Sequence, residues 1–552
     1  MSWLLYTIVG LYWIPFVGMY KLFEKAGEPS WAALVPFYNA FVLVKIIGGP
    51  KWWLLAMLLP VVNLFIIAGM LIEFNKSFGQ YKFADNFAAI VLPYVYYPYL
   101  SSKKVEYVHQ AWAVQDDIRK RFKAAVKADS KSEMRRLEKE NPFPKKSKGR
   151  EWSESIIFAV FAAHFIRLFL IEAYTIPTPS MEGSLLVGDF LFVSKVHYGS
   201  RMPMTPLAFP LIHNMLPFSG GESYSNAVDW DYRRAPKIQN VERYDPVVFN
   251  YPEDDTAVGG LESDGQPFSY PMQYHNQLKR VAPNERQALR QKLKINYADR
   301  LVYRPVDKRT HYIKRCVGIP GDKIQVKEGV LYVNDKESEV IDGVQYRYKL
   351  LFTEAMNPIA LEDKYPITFE LKGYDGRGNR VVDRNIAYVS PAVATEIVAK
   401  ESTVESMTRD LLPKGVYRNA FPYNKKRFNW NIDNYGPITI PKRGNTIDLS
   451  LDNIELYTRL IAAYEGNKLE VKGGKIYING EVATTYTPQL DYYWMMGDNR
   501  NNSADSRAWG FVPEDHVVGK PLFVWLSLKN GSLRGPNGGV RWERFFMGAS
   551  GR

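Results

Sequence analysis

Ser180, in the run Ile176-Pro-Thr-Pro-Ser-Met181, and Lys314, in Tyr312-Ile-Lys-Arg-Cys-Val-Gly-Ile-Pro-Gly-Asp322, are residue types that could do chemistry together. A serine hydroxyl is a weak nucleophile until a base takes its proton and hydrogen-bond donors receive the oxyanion it creates. Histidine is the usual base, and the chain has seven: His109, His164, His197, His213, His275, His311 and His516. None lies in a triad context, and the sequence holds neither a Gly-x-Ser-x-Gly elbow nor a His-Glu-x-x-His zinc motif. Lysine is the less common base, and it must be neutral to act, which requires burial among apolar groups. Strand alternation sets Lys314 on the face opposite Ile313 and Arg315, just before a Pro-Gly turn. Taken singly, Ser180 also reads as a turn residue after proline and Lys314 as a solvated strand residue.

An apolar segment from Ile156 to Ile176 leads into the serine. As one helix its length would be roughly 32 Å, close to one hydrocarbon core. Ser180 then lies about four residues past its outer end, within ~15 Å of the span, and acts on something that also lives at the bilayer. Arg167 falls near the middle of this expected anchor, with His164 and Glu172 in the same segment. A lone Arg there costs about 2.5 to 3.5 kcal/mol, met by snorkelling or by pairing. Upstream, residues 1–101 carry apolar stretches at Trp3–Tyr20, Trp31–Ile47, Trp52–Ile72 and Phe87–Leu100, with aromatics near their ends, as in a multi-span membrane module. The last stretch contains Pro93 and Pro98, so the number of crossings stays open, and so does the side on which Met1 lies. No basic region precedes the first stretch and no small-residue cleavage site follows it, so it does not read as a cleavable signal peptide.

The net charge of +13 is unevenly placed: Lys103–Arg150 holds 15 Lys/Arg against 7 Asp/Glu, a net of +8. A basic block flanked by apolar spans follows the positive-inside rule better than it fits phosphate binding, so no nucleic-acid partner is expected. Residues 102–150 thus read as a basic cytoplasmic linker, 151–176 as an anchor running outward, and everything after Pro177 as exported. The single cysteine, Cys316, cannot form an internal disulfide.

Beyond Pro177 the pattern changes to short β-branched and aromatic runs: Pro246–Phe249, Lys323–Val326, Val330–Val333, Leu469–Val471, Lys475–Ile478 and Leu522–Leu526. Ile324-Gln-Val-Lys-Glu-Gly-Val-Leu-Tyr-Val-Asn and Leu469-Glu-Val-Lys-Gly-Gly-Lys-Ile-Tyr-Ile-Asn predict one hairpin used twice. Asn276–Lys294 reads as a surface helix. The expected fold class is an α-helical transmembrane N-terminal part plus a mainly β exported catalytic domain at 177–337 and 487–530. A β-rich accessory lobe is expected at 338–486 and a tail at 531–552.

Four stretches in order resemble the boxes of bacterial type I signal peptidase. These are Ile176-Pro-Thr-Pro-Ser-Met, Tyr244-Asp-Pro-Val-Val-Phe, Tyr312-Ile-Lys-Arg-Cys-Val-Gly-Ile-Pro-Gly-Asp, and Met496-Gly-Asp-Asn-Arg-Asn-Asn-Ser-Ala-Asp-Ser-Arg-Ala-Trp-Gly510. The resemblance extends from about Glu151 to Trp525 and implies a signal-peptidase-like β fold. It implies Ser180 as nucleophile, Lys314 as general base, Ser503 as the hydroxyl orienting Lys314, and Thr178 as a partner of the Ser180 N–H in the oxyanion hole. It further implies Ile176, Met181, Leu185, Tyr312 and Ile313 as walls of a groove for small side chains. Asp498, Arg500, Asp505 and Arg507 become an ion-pair scaffold beneath the site. Pro179 and Gly183 depart from the family pattern, in which Gly or Ser often precedes the nucleophile and Pro is frequent at position 183.

The implied activity is removal of signal peptides from exported preproteins at the bacterial cytoplasmic membrane, with the catalytic domain on the periplasmic side. Signal peptides and membrane lipids are then the partners, and neither metal nor organic cofactor is called for. Such a substrate is a short apolar helix cut just outside the bilayer, which suits a nucleophile near the lipid surface. The alternatives are a non-catalytic membrane scaffold that binds apolar helices, and a self-cleaving protein using the same dyad.

Overall fold

The computed structural model describes residues 17–57, 62–144, 147–217, 221–252, 304–339, 341–354, 357–375, 380–416, 420–533 and 538–549, and the backbone of 257–263, 266–269 and 301–302. The first expected apolar stretch, apart from its end, and the expected helix Asn276–Lys294 lie outside the described residues. The chain divides into two compact units, Met1–Glu154 and Ser155–Arg552.

The first unit is helical. Tyr20–Lys25, Tyr38–Ile47, Trp52–Ala56, Val62–Ser77, Phe83–Val91 and Pro93–Ser102 gather around Leu22, Phe23, Leu43, Phe74 and Tyr97. These helices are shorter than a bilayer crossing requires. Among the described residues only Lys148–Phe169, 22 residues long, is long and apolar enough to cross. Among the described residues of 1–101, then, no helix has the length that the expected series of spans calls for. Pro93 and Pro98 act here as breakers: Pro93 opens the last short helix and Pro98 lies inside it. The basic stretch after it holds two helices, Ala111–Lys127 and Lys131–Glu140. Ser130 caps the second by accepting from the Glu133 N–H, and Arg121 of the first reaches Glu133 and Glu140 of the second.

The anchor helix ends at Phe169, not at Ile176 as the apolar run suggested. Ile171–Thr175 is a strand, paired antiparallel with Asp189–Ser194 from Ile171↔Ser194 to Thr175↔Phe190. Hydrophobicity alone does not separate a membrane helix from the strand that follows it. Glu172 and the β-branched Ile171 and Thr175 favour the ladder, where Glu172 finds cationic partners. Ser180 is therefore eleven residues beyond the helix, and the short tether inferred from the sequence does not apply. Arg167 also moves from mid-span to the helix's last turn, where it pairs with Glu172 at 2.5 Å.

The strand Ile171–Thr175 forms the edge of a seven-stranded sheet in which every neighbour is antiparallel. Its order continues through Asp189–Ser194, Val517–Ser527, Pro246–Asn250, His311–Gly318, Tyr492–Met496 and Val512–Pro513. Alternation divides the sheet's side chains between two apolar clusters. Val247 and Phe249 join Cys316, Met495 and Trp509, while Val248 joins Met181, Leu185, Leu191 and Val524. The expected strands at 246–249, 323–326, 330–333, 469–471, 475–478 and 522–526 are all present.

The repeated hairpin is present too. Lys327↔Val330 and Lys472↔Lys475 close two-residue turns whose central residues all have positive φ: Glu328, Gly329, Gly473 and Gly474. Asn334 accepts from the Lys323 N–H and Asn479 from the Lys468 N–H, each at 2.9 Å, so even the side-chain bond that fixes the register is repeated. Within 338–486 two different pieces occur. Tyr346–Phe352, Thr368–Tyr374, Arg380–Val389 and Val404–Arg409 form a separate four-stranded sheet with the helices Pro358–Lys364 and Pro391–Lys400, over Leu350, Leu361, Phe369 and Ile397. Tyr435–Thr439, by contrast, adds to the Lys323–Lys327 strand, and Ile438 and Leu460 pack with Val317 and Trp494 of the main sheet.

Candidate active site

The serine loop is built to hold one conformation. Ile176 closes the edge strand, donating to Asp189 O at 2.8 Å and accepting from Gly188 N at 2.9 Å. Thr178 is extended, with φ −129° and ψ 152°, and Pro179 then opens a single 3-10 turn, Pro179–Met181. Proline suits a first helical position, where its missing N–H costs nothing, so the departure at 179 has a local reason. Met181 and Leu185 are buried in the apolar cluster beneath the loop, and Asn499 N–H binds the Ser180 carbonyl at 3.2 Å. Gly183 has φ +99°, and a Cβ there would lie 1.8 Å from the Gly343 carbonyl oxygen. Gly343, at φ +87°, meets Gly183 in return. This backbone-to-backbone contact explains why position 183 departs from proline: the positive φ excludes it.

Lys314 comes from the strand His311–Gly318, whose register pairs it with Val247 and pairs Ile313 with Val248. Its side chain is 2% exposed, and Nζ donates to Ser180 Oγ at 2.7 Å and to Ile313 O at 2.8 Å. Burial lowers its pKa to about 8, against the opposing pull of Asp505 and Asp498. Ser180 itself is 8% exposed, and the Thr178 hydroxyl stands 3.4 Å from its Oγ.

No histidine hydrogen-bonds to Ser180 among the described residues. His516 and Asp515 form a buried pair at 2.6 Å, yet the other ring nitrogen of His516 meets the Arg309 guanidinium at 3.1 Å, so that pair faces no serine.

Ser503 lies beside Gly497 and the Ser180 carbonyl, so close that a Cβ on Gly497 would sit 2.3 Å from Ser503 Oγ. Its hydroxyl bonds the Ala504 carbonyl at 3.4 Å and contacts the Asp505 carboxylate, whereas the partners of Lys314 Nζ are Ser180 and the Ile313 carbonyl. The scaffold residues divide differently from the expected grouping. Asp505 holds Arg507 through two bonds of 2.9 and 2.7 Å. Asp498 holds Arg315 through two of 2.7 and 2.6 Å, both side chains at 0% exposure. Arg500 is buried with no carboxylate bonded to it, and its N–H binds the Gln345 carbonyl at 2.9 Å. Arg315 and Ser184, which Arg315 also bonds at 3.2 Å, were not singled out from the sequence. The signal was an arginine next to Lys314 on a strand that is buried on both faces.

A cleft lies beside the pair, lined by Thr175, Ile176, Thr178, Tyr312, Ile313 and Lys314, with Ser180 at its end. Met181 and Leu185, expected as groove walls, are at 0% and 1% exposure and lie behind it. Tyr312 through Lys314 pair on one side with Pro246–Asn250, while the neighbour Tyr492–Met496 pairs only with Arg315–Gly318. Residues 312–314 therefore line the cleft where the ladder with Tyr492–Met496 does not extend, and the Ile313 carbonyl there accepts from Lys314 Nζ.

The sequence compares with known proteins in two regions. Residues 31–110 match a family of unknown function, DUF5684. Residues 149–363 and 487–526 match the family described as signal peptidase, peptidase S26, and the unmatched interval between them falls within the inserted region. Signal peptidase I of Haemophilus influenzae is 24% identical over 394 residues, covering 71% of this chain and 74% of the relative. Signal peptidase I of Buchnera aphidicola subsp. Acyrthosiphon pisum is 24% identical over 403 residues, covering 71% and 81%. That of Rickettsia massiliae is 23% identical over 386 residues, covering 70% and 82%. The matched segments contain the serine loop, the lysine strand and the Gly497–Gly510 stretch. The chain belongs to the signal peptidase family, peptidase S26, as a serine endopeptidase of the signal peptidase I type.

Proposed function

We propose that this endopeptidase is anchored in the bacterial cytoplasmic membrane by the helix Lys148–Phe169 and removes signal peptides from exported preproteins after small residues, using Ser180 and Lys314. The observation that carries the reading is the 2.7 Å contact between Ser180 Oγ and an amine that burial has brought to a pKa of about 8. A lysine at its ordinary pKa would be protonated and unable to accept a proton; one near 8 is neutral in a useful fraction of molecules.

The substrate enters extended along the cleft lined by Ile176, Ile313 and Lys314, beside Ser180. Ser180 Oγ attacks the scissile carbonyl as Lys314 Nζ takes the hydroxyl proton. The Ser180 N–H and the Thr178 hydroxyl receive the oxyanion. Lys314 then passes its proton to the departing amine, leaving the signal peptide as an ester on Ser180. Water, losing a proton to Lys314, hydrolyses that ester and returns the serine. Each proton transfer has a group of this chain to perform it, so no cofactor is called upon. Ser503 packs against Gly497 beside the Ser180 carbonyl and contacts Asp505, and so helps to position the serine loop. The positive-inside bias of Lys103–Arg150 supports the catalytic unit lying on the periplasmic side.

The test is cleavage of a cognate preprotein by the purified full chain, with the cut position mapped by mass spectrometry. The expected result is a single cut after a small residue, lost in Ser180→Ala and in Lys314→Ala. Full activity in either variant would reject the dyad.

A further inference from the structure

A second cavity opens in the catalytic unit, separated from the cleft by His311, which lines both. Its walls include the end of the anchor helix, at His164 and Arg167, together with Glu172, Lys195, Arg201 and Lys308. Four of its lining residues are lysines or arginines, against two carboxylates, Glu172 and Asp307.

Both carboxylates are already engaged. Glu172 accepts from Arg167 Nε at 2.5 Å, Lys195 Nζ at 2.6 Å and the Tyr174 hydroxyl at 2.6 Å. Asp307 accepts from Met204 N and Thr205 N, each at 3.0 Å, and from the Thr205 hydroxyl at 2.9 Å. Among the described residues Arg201 hydrogen-bonds to neutral oxygens, the Asp515 carbonyl at 2.6 Å and Asn250 Oδ1 at 2.7 Å, with the Asp307 and Asp515 carboxylates as more distant counter-charges. Lys308 is 8% exposed and has no hydrogen-bond acceptor among the described residues; its ammonium lies 5.6 Å from the Tyr224 ring centroid, and Asp307 is the carboxylate that offsets its charge most. A buried ammonium with no hydrogen-bond acceptor is costly, and the cavity it faces holds more cations than carboxylates.

The location says which anion is at hand. Leu211, which lines the cavity, is tied to the helix end: its N–H binds His164 Nδ1 at 3.1 Å and its carbonyl accepts from Arg167. The same surface segment exposes Leu207, Phe209, Leu211 and Met215, with Trp230 further on. Such a fringe of large apolar side chains beside the end of a membrane helix suits contact with acyl chains. We infer that this cavity takes the phosphate of an anionic phospholipid headgroup, with the Lys308 ammonium as its principal contact. The choice of a lipid as source rests on the membrane-anchored reading of Lys148–Phe169, but nothing in it depends on the Ser180–Lys314 chemistry.

The experiment is native mass spectrometry of the full chain released from nanodiscs of phosphatidylglycerol or of phosphatidylcholine, with inorganic phosphate as a separate arm on lipid-free protein in detergent. Wild type is expected to retain phosphatidylglycerol in preference to phosphatidylcholine. Lys308→Met should weaken that retention about tenfold, and Lys308→Arg should restore most of it, as expected for loss of one charge-assisted contact. An unchanged melting temperature and unchanged cleavage of a soluble peptide would show that Lys308→Met is folded; should it not fold, Lys308→Gln takes its place. Equal retention of phosphatidylglycerol by wild type and the folded variant overturns the assignment. Lys308-dependent binding of inorganic phosphate as tight as that of the lipid overturns the lipid as its source.

Discussion

At the scale of single residues, the behaviour of the site depends on where one proton resides. In the proposed mechanism Lys314 serves as base only when neutral, so kcat/KM for preprotein cleavage is expected to rise with pH and level off above an inflection near the lysine's value of about 8. Glu182, two residues from Ser180 and raised by burial to about 7, is the obvious confounder; Glu182→Gln should leave that inflection in place. Lys314→Met should lower kcat by at least about 1000-fold while melting no lower than wild type, because it removes an amine whose burial costs about 3 kcal/mol at pH 7. The sign follows from linkage. The native state holds fewer protons than the unfolded chain between about pH 8 and the usual 10.5, so this group makes stability rise with pH across that window, and a melting series should lose that rise in the variant. The serine, the lysine and the threonine beside them were legible only through the four boxes taken together, since singly Ser180 reads as a turn residue and Lys314 as a solvated strand residue. The partner of Asp498 was not: an ion pair across 183 residues leaves no local trace, and Arg315 was read only as the residue facing away from Lys314.

At the scale of elements, the stretch around Gly497 is a clamp that joins the serine loop to the lysine strand. Asp498 and Arg315 are both fully buried, and removing one partner leaves the other charged and dry. Asp498→Ala is therefore expected to cost about 3 to 5 kcal/mol, read by denaturant unfolding. Gly497→Ala should damage activity more than its size suggests, because the added methyl would displace both Ser503 and the Ser180 carbonyl; retention of wild-type turnover would contradict the close packing described. Strands were read well from sequence because turn residues bound them, as the paired Glu-Gly and Gly-Gly hairpins show. The passage from helix to strand after Phe169 was misread because Ile171–Ile176 is as apolar in composition as the helix, and the ladder that claims it is formed with residues almost twenty positions later.

At the scale of the whole molecule, the chain divides into two units, and the second holds both the catalytic sheet and an inserted sheet. Alkaline phosphatase fused after Arg552 should be active in cells, and a fusion placed at Asn141 inactive; the reverse pattern would overturn the outward orientation inferred from the basic stretch. The boundary of the insertion was only partly legible: Tyr346–Arg409 encloses its own core, but Tyr435–Thr439 returns to the older sheet, and a run of strand signals does not say which sheet each strand will join. The contact between Gly183 and Gly343 gives this architecture a mechanical meaning. One glycine lies three residues beyond the nucleophile, the other three residues before the first strand of the insertion, and no side chain cushions them. The two backbones therefore leave no room for a methyl between them, so Gly343→Ala is expected to disturb the serine loop and lower turnover in a cleavage assay although it lies 163 positions from Ser180.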